Sequence, residues 1–230
     1  MARLPRWTLA GQAHLVLLRG LDQRPVVIDD DDRQHGLDSL REASLLSGVA
    51  IHAYALQNDR LRLLLRPVED GSIARLMQDF GRRYVGRFNR RHGRRGTLWD
   101  GRYRATVVQP GALTLRALLF VDTEPARSGL VDEADAYRWS SAGHHVGRRT
   151  DPLLSNLAEY WQLGNTPFER ELAYSRLLQE GLPAMEIQRL ADACHKGWIV
   201  GDAAFMALLA AQTGRPPQPR RRGRPARQAA

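Results

Sequence analysis

The sequence predicts an α+β domain with an antiparallel sheet, and three observations predict it. Two strand-like runs, Val49–Leu56 and Arg60–Arg66, flank Gln57-Asn58-Asp59, a turn-forming trio of the kind that closes a hairpin. A long amphipathic stretch follows over 72–91, with Ile73, Leu76, Met77, Phe80, Tyr84 and Phe88 at three- and four-residue spacing. Ahead of the hairpin, Asp29–Asp32 supplies N-cap and first-turn carboxylates that start a helix through capping and the macrodipole.

In chain order, residues 10–19 (AGQAHLVLLR) read as a first strand carrying His14, with Gly20 and Asp22 opening a loop. Val26–Ile28 is a short second apolar run. The acidic run then starts a helix through about Leu46, with Leu37, Leu40 and Leu45 on its core face and Gly48 as its end. Read this way, the aspartates are a cap rather than a metal site. In the hairpin's second strand, Leu61, Leu63 and Leu65 point one way, and Arg60, Arg62 and Leu64 the other. Two guanidiniums side by side repel each other and call for solvent or for an anion such as phosphate. Tyr103–Val108 is a further strand, and Ala112–Val121 a helix stopped by Pro125. Residues 150–212 read as helices separated by Gly164, Gly181-Leu182-Pro183, Gly197 and Gly201, with a helix-turn-helix outline over Pro183–Leu209.

Charge narrows the function classes. The chain has 230 residues, 43% of them hydrophobic, and no apolar run near membrane-spanning length. No charged-then-apolar leader is read, so a cytoplasmic location is expected. The lone Cys194 excludes an internal disulfide framework and a cysteine-cluster zinc site. A net charge of +9 calls for a polyanionic partner. Six of those charges lie in the tail, on Arg215, Arg220, Arg221, Arg222, Arg224 and Arg227, which leaves 9 − 6 = +3 for the rest. A second concentration spans residues 82–104, with Arg82, Arg83, Arg87, Arg90, Arg91, Arg94, Arg95, Arg102 and Arg104 against the single acid Asp100. Tyr84, Phe88, Trp99 and Tyr103 interleave with them. Arginines with exposed aromatics suit a phosphate backbone and stacked, unpaired bases, so Trp99 and Tyr103 join these arginines as expected DNA contacts.

Several of these segments resemble one family. His52, Ala53 and Tyr54, with Leu63, Leu64 and Leu65, resemble the His-Ala-Tyr-x-x-Met-Pro-Asn-His-x-His-Leu-Leu stretch of single-tyrosine HUH transposases, in particular the REP-associated tyrosine transposases. Tyr84, Phe88, Asn89, His92, Arg94, Gly96, Leu98, Trp99, Gly101, Arg102 and Tyr103 fall in register with a second family segment. Tyr137-Arg138-Trp139-Ser140-Ser141 falls in register with a third, and the resemblance closes near Gly147. It implies a ferredoxin-like fold over residues 1–147, an antiparallel sheet with helices on one face. It also implies a homodimer, DNA as partner, and Mg²⁺- or Mn²⁺-dependent strand transfer through a tyrosine.

At the positions that carry the chemistry, this sequence departs from the family. The two metal-binding histidines fall on Arg60 and Arg62, and arginine has no lone pair to ligate a cation. The nucleophilic tyrosine falls on Phe120, which lacks the attacking oxygen. Glu124 is a lone possible metal ligand. The expectation is therefore a DNA-binding protein without cleavage, with no metal, in which Arg60 and Arg62 hold phosphate in the metal's place. An active enzyme would need relocated groups: His14, His52, His144 or His145 for metal, and Tyr84, Tyr103 or Tyr137 for attack. A general RNA-binding module is the third reading. After the domain, residues 148–213 are expected as a helical appendage and 214–230 as a disordered Arg/Pro-rich tail. Within that tail, Arg221, Arg222 and Arg224 form an AT-hook-like Arg-Gly-Arg-Pro suited to an A·T minor groove. No membrane partner is expected, and nucleoid association follows from DNA binding.

Overall fold

The computed structural model describes residues 6–214. Strand β1 (Ala13–Arg19) leads to helix α1 (Asp30–Ser47), the hairpin β2 (Val49–Leu56) and β3 (Arg60–Pro67), helix α2 (Ser72–Arg91) and strand β4 (Arg104–Val108). The strands pair antiparallel in the order β2-β3-β1-β4, so the sheet is the βαββαβ arrangement expected. Helix α3 (Ala112–Asp122) and short turns α4 (Glu124–Arg127), α5 (Ala142–His145) and α6 (Ala158–Trp161) come next. The chain continues through α7 (Pro167–Glu180), α8 (Ala184–Lys196) and α9 (Ala203–Thr213). The AT-hook-like residues Arg221, Arg222 and Arg224 lie outside the described residues.

Local chemistry sets the helix ends. The Asp29 carboxylate accepts from the Asp32 amide, the Ncap interaction the acidic run predicts, and is worth about 1 kcal/mol. Gly48 closes α1 at φ 65°, a left-handed conformation that a side chain would strain. The predicted stripe of α2 is buried at Ile73, Leu76, Met77, Phe80, Tyr84 and Phe88. On α1 the expectation is half right: Leu40 is buried, but Leu45 is 74% exposed. The inward face runs instead through Gly36, Leu40, Ala43 and Ser47, because 100° per residue carries position 45 away from position 40. Val26 and Val27 enter the core without forming a strand.

Helices cover both faces of the sheet, not one. Leu61, Leu63 and Leu65 face α1 and α2, together with Val16, Leu18 and Tyr54. The opposite face, with Leu15, Leu17, Ala53, Ala55 and Leu64, packs against α3 and against Tyr174, Leu190 and Cys194 of α7 and α8. The expected appendage thus contributes to the same core. Tyr174 donates to Asp122 Oδ2 at 2.7 Å, and Val200, between α8 and α9, bridges to Val108 on the β4 edge. An edge strand left bare would template pairing with other chains, so this stitch has a physical function. As expected, α3 ends at Asp122 ahead of Pro125, and Pro125 lies in the first turn of the short α4 that follows.

Candidate nucleic-acid interface

Alternation along β3 points Arg60, Arg62 and Leu64 toward the second face, as predicted, and α3 closes over them. Arg62 is 6% exposed, and its Nε donates to Glu124 Oε2 at 2.5 Å. Its guanidinium carbon lies 4.8 Å from the centroid of the Phe120 ring, with Arg127 at 4.6 Å from the same ring. Arg60 donates to both oxygens of Asp59, at 2.8 and 2.9 Å, and stands 3.9 Å from Glu124 Oε1. Burial works against the charge on Arg62, but Glu124 outweighs it and holds the guanidinium pKa above its ordinary value. Arg60 and Arg62 therefore both meet Glu124, and Phe120 joins the cluster through Arg62.

That cluster does not fit a divalent cation. Guanidinium nitrogens offer no lone pair, and Glu124 is engaged by Arg62. The placement also removes Arg62 from the expected DNA contacts, since it is sealed under α3 and neutralised. Arg60 keeps a partly exposed side chain at the rim, 28% accessible.

The residues considered for relocated chemistry are scattered and structurally committed. His14 is fully buried, donating from Nδ1 to Gln12 O at 2.8 Å and accepting the Leu9 amide at Nε2; burial pushes its pKa down to about 4. His52 donates to Ser155 O at 2.6 Å and is likewise lowered to about 4 by burial. His144 meets Asn156 and the Asp151 amide, whereas His145 donates to Asp122 Oδ2 at 2.6 Å. Asp122 also accepts from Ser141 and Tyr174, a buried network that no sequence motif announced. Tyr84 and Tyr137 donate to the backbone carbonyls of Val26 and Leu56, and Tyr103 lies under Arg6 with 3.9 Å from guanidinium carbon to ring centroid. Among the described residues no three His, Cys, Asp or Glu side chains are grouped to hold a metal.

The basic segment divides into paired and unpaired arginines. Arg83 is bound by Asp79 and Glu42, and Arg91 by Asp29, Asp31 and Asp32, so these two expected contacts serve the α1–α2 packing. Hydrogen bonds that Arg91 donates to Asp29 and Asp32 hold its guanidinium well above its usual pKa. Arg82, Arg87, Arg90, Arg95 and Arg102 are exposed, with no carboxylate within 4.0 Å among the described residues. Arg94 covers Phe88 at 5.6 Å, and Arg104 donates to His195 O at 3.2 Å. The aromatic partners are not on the surface. Tyr84 and Phe88 are core residues, and Trp99 and Tyr103 pack against them as partly buried neighbours. What remains is a cationic surface along α2 and the loop at 92–103, suited to phosphates more than to stacked bases.

The βαββαβ sheet in this order is a fold that the chain shares with a solved tyrosine transposase. The structure of a REP-associated tyrosine transposase bound to a REP hairpin superposes with a TM-score of 0.52 at 12% identity, over 69% of this chain and 93% of that one. A crystal structure of a Deinococcus radiodurans R1 protein assigned as a transposase is also similar, with a TM-score of 0.36 and 18% identity over 56% of this chain and 92% of that one. No protein-family model matches the sequence, and no curated protein matches it significantly.

Proposed function

We propose that the chain binds DNA in single-stranded or hairpin form, as a relative of the single-tyrosine transposases, and does not cleave it. The observation that carries this reading is the set of exposed, acid-free arginines Arg82, Arg87, Arg90, Arg95 and Arg102 on α2 and the following loop. Solvated helix faces ordinarily mix charge signs, and α1 and α2 pair acids with arginines elsewhere, so a run left unpaired suits a polyanion. A neighbour in fold was solved on a REP hairpin, which supports hairpin DNA as the class of partner. Non-cleavage is supported by side-chain chemistry: Arg60 and Arg62 have no lone pair for a metal, and Phe120 has no attacking oxygen. Homodimerisation is proposed on family resemblance alone, and nucleoid association follows from DNA binding. No helix among the described residues is long and apolar enough to cross a membrane.

The test is fluorescence anisotropy with a labelled DNA hairpin across a salt series. Joint Arg87→Ala and Arg90→Ala substitution is expected to weaken binding and shrink the salt slope by up to about 2. An equal-length RNA that competes as well as the hairpin would favour a general RNA-binding role instead. A covalent protein–DNA adduct on a denaturing gel with Mn²⁺ would overturn the non-cleaving part.

A further inference from the structure

A cavity of about 430 Å³ lies where α7 meets the preceding domain. That size falls within the roughly 300–1,000 Å³ of pockets that take small molecules. Four pieces of chain wall it: residues 123–127 at α4, the turn at 132–135, Arg148 after α5, and residues 175–181 at the end of α7. Ala126, Ala134 and Leu178 give it apolar surface. Ser175 and Gln179, one turn apart on α7, add a hydroxyl and an amide. None of these groups belongs to the cationic surface along α2.

Charge on these walls is divided. Arg148 is engaged within the lining, by Asp135 at 2.9 Å and Glu133 at 3.7 Å. Arg127 and Asp132 are not: neither has an opposite charge within 4.0 Å among the described residues, so they do not pair with each other. The Arg127 residue as a whole is exposed, but its guanidinium is turned in against the Phe120 ring, 4.6 Å from the centroid. Nη2 donates to Phe120 O at 2.8 Å, and Nη1 to Thr123 Oγ1. Both acceptors are neutral, so the cation lacks a charged partner. Burial, ahead of any other effect, lowers its pKa to about 10; Glu124 opposes this and Arg62 adds to it.

A ligand of one sign does not suit such a site. An anion that reaches Arg127 meets Asp132, Glu133 and Asp135 as well, and a cation that reaches Asp132 meets two arginines. Opposite charges on one small molecule satisfy both unpaired groups. We infer that the cavity binds a zwitterion of the α-amino-acid class, its carboxylate on Arg127, its ammonium on Asp132 and its side chain against Leu178. The bound molecule joins α4 to α7, and through Arg127 it touches the cluster of Phe120, Arg62 and Glu124. This site stands independently of the DNA-binding reading.

The experiment is isothermal titration calorimetry of the full chain with each standard L-amino acid in turn. At least one is expected to bind one-to-one and to raise the thermal midpoint. Its N-acetyl and C-amide derivatives each lack one of the two charges, and each should bind about tenfold more weakly or worse. Arg127→Gln and Asp132→Asn should each weaken the free amino acid by about tenfold or more. Asp132 is on the surface, so its variant keeps the fold and tests the site even where Arg127→Gln lowers stability. No binding by any amino acid would overturn the inference. So would a loss confined to one of the two derivatives, a loss with neither, or undiminished affinity in Asp132→Asn.

Discussion

Arg62 and Glu124 form a buried ion pair, Nε to Oε2 at 2.5 Å, with Phe120 against the guanidinium plane. They come from β3 and from the turn after α3, 62 residues apart. One carboxylate serves two arginines there, and Arg62 Nη1 has no hydrogen-bond partner among the described residues. Such a pair contributes to stability mainly by being complete, because either charge left alone in that position is desolvated without compensation.

The first prediction concerns that pair. Arg62→Ala or Glu124→Ala alone should lower unfolding free energy by about 3–5 kcal/mol in urea titration. Arg62→Leu with Glu124→Leu should lose much less than the sum of the two single changes. An additive double mutant would show that the two side chains are not energetically coupled.

Metal binding gives a second prediction. With Glu124 already beside positions 60 and 62, the change Arg60→His plus Arg62→His should create a stoichiometric Mn²⁺ site measurable by calorimetry. The wild-type chain should show none. Removing Glu124 as well should abolish the new site; heat signals that survive its removal would place the ion elsewhere.

Stability should fall on mild acidification. Burial lowers His14 and His52 from 6.5 to about 4, so between those values the unfolded chain binds protons that the folded chain does not. The stability these neutral rings support is complete above about pH 6.5 and is lost progressively toward about pH 4. By about pH 5 each should account for a loss on the order of 2 kcal/mol. Chemical denaturation at both ends of this window checks it, and His14→Gln or His52→Gln should flatten the pH slope whatever it does to the absolute stability.

The tail gives the fourth. Deleting residues 215–230 removes six arginines, and non-specific DNA affinity should drop with a salt slope smaller by up to about 5. An unchanged slope would mean the tail makes no phosphate contact.

Patterns of short range were legible in the residues themselves. A period of two put Arg60 and Arg62 on one face, 3.6-residue spacing gave the α2 stripe, and Asp29 capped α1, because each depends on neighbours a few positions away. Resemblance in short motifs carried the βαββαβ order as well. Tertiary structure alone decided what lies against each face. It buried Arg62 beneath α3, gave Arg91 to aspartates some 60 residues earlier, and set Arg19 opposite Arg60 through strand register. Trp99 and Tyr103, interleaved with arginines in the sequence, turned inward for the same reason. Periodicity specifies which side chains share a surface, whereas contacts between distant segments determine whether that surface meets water, a carboxylate or another arginine.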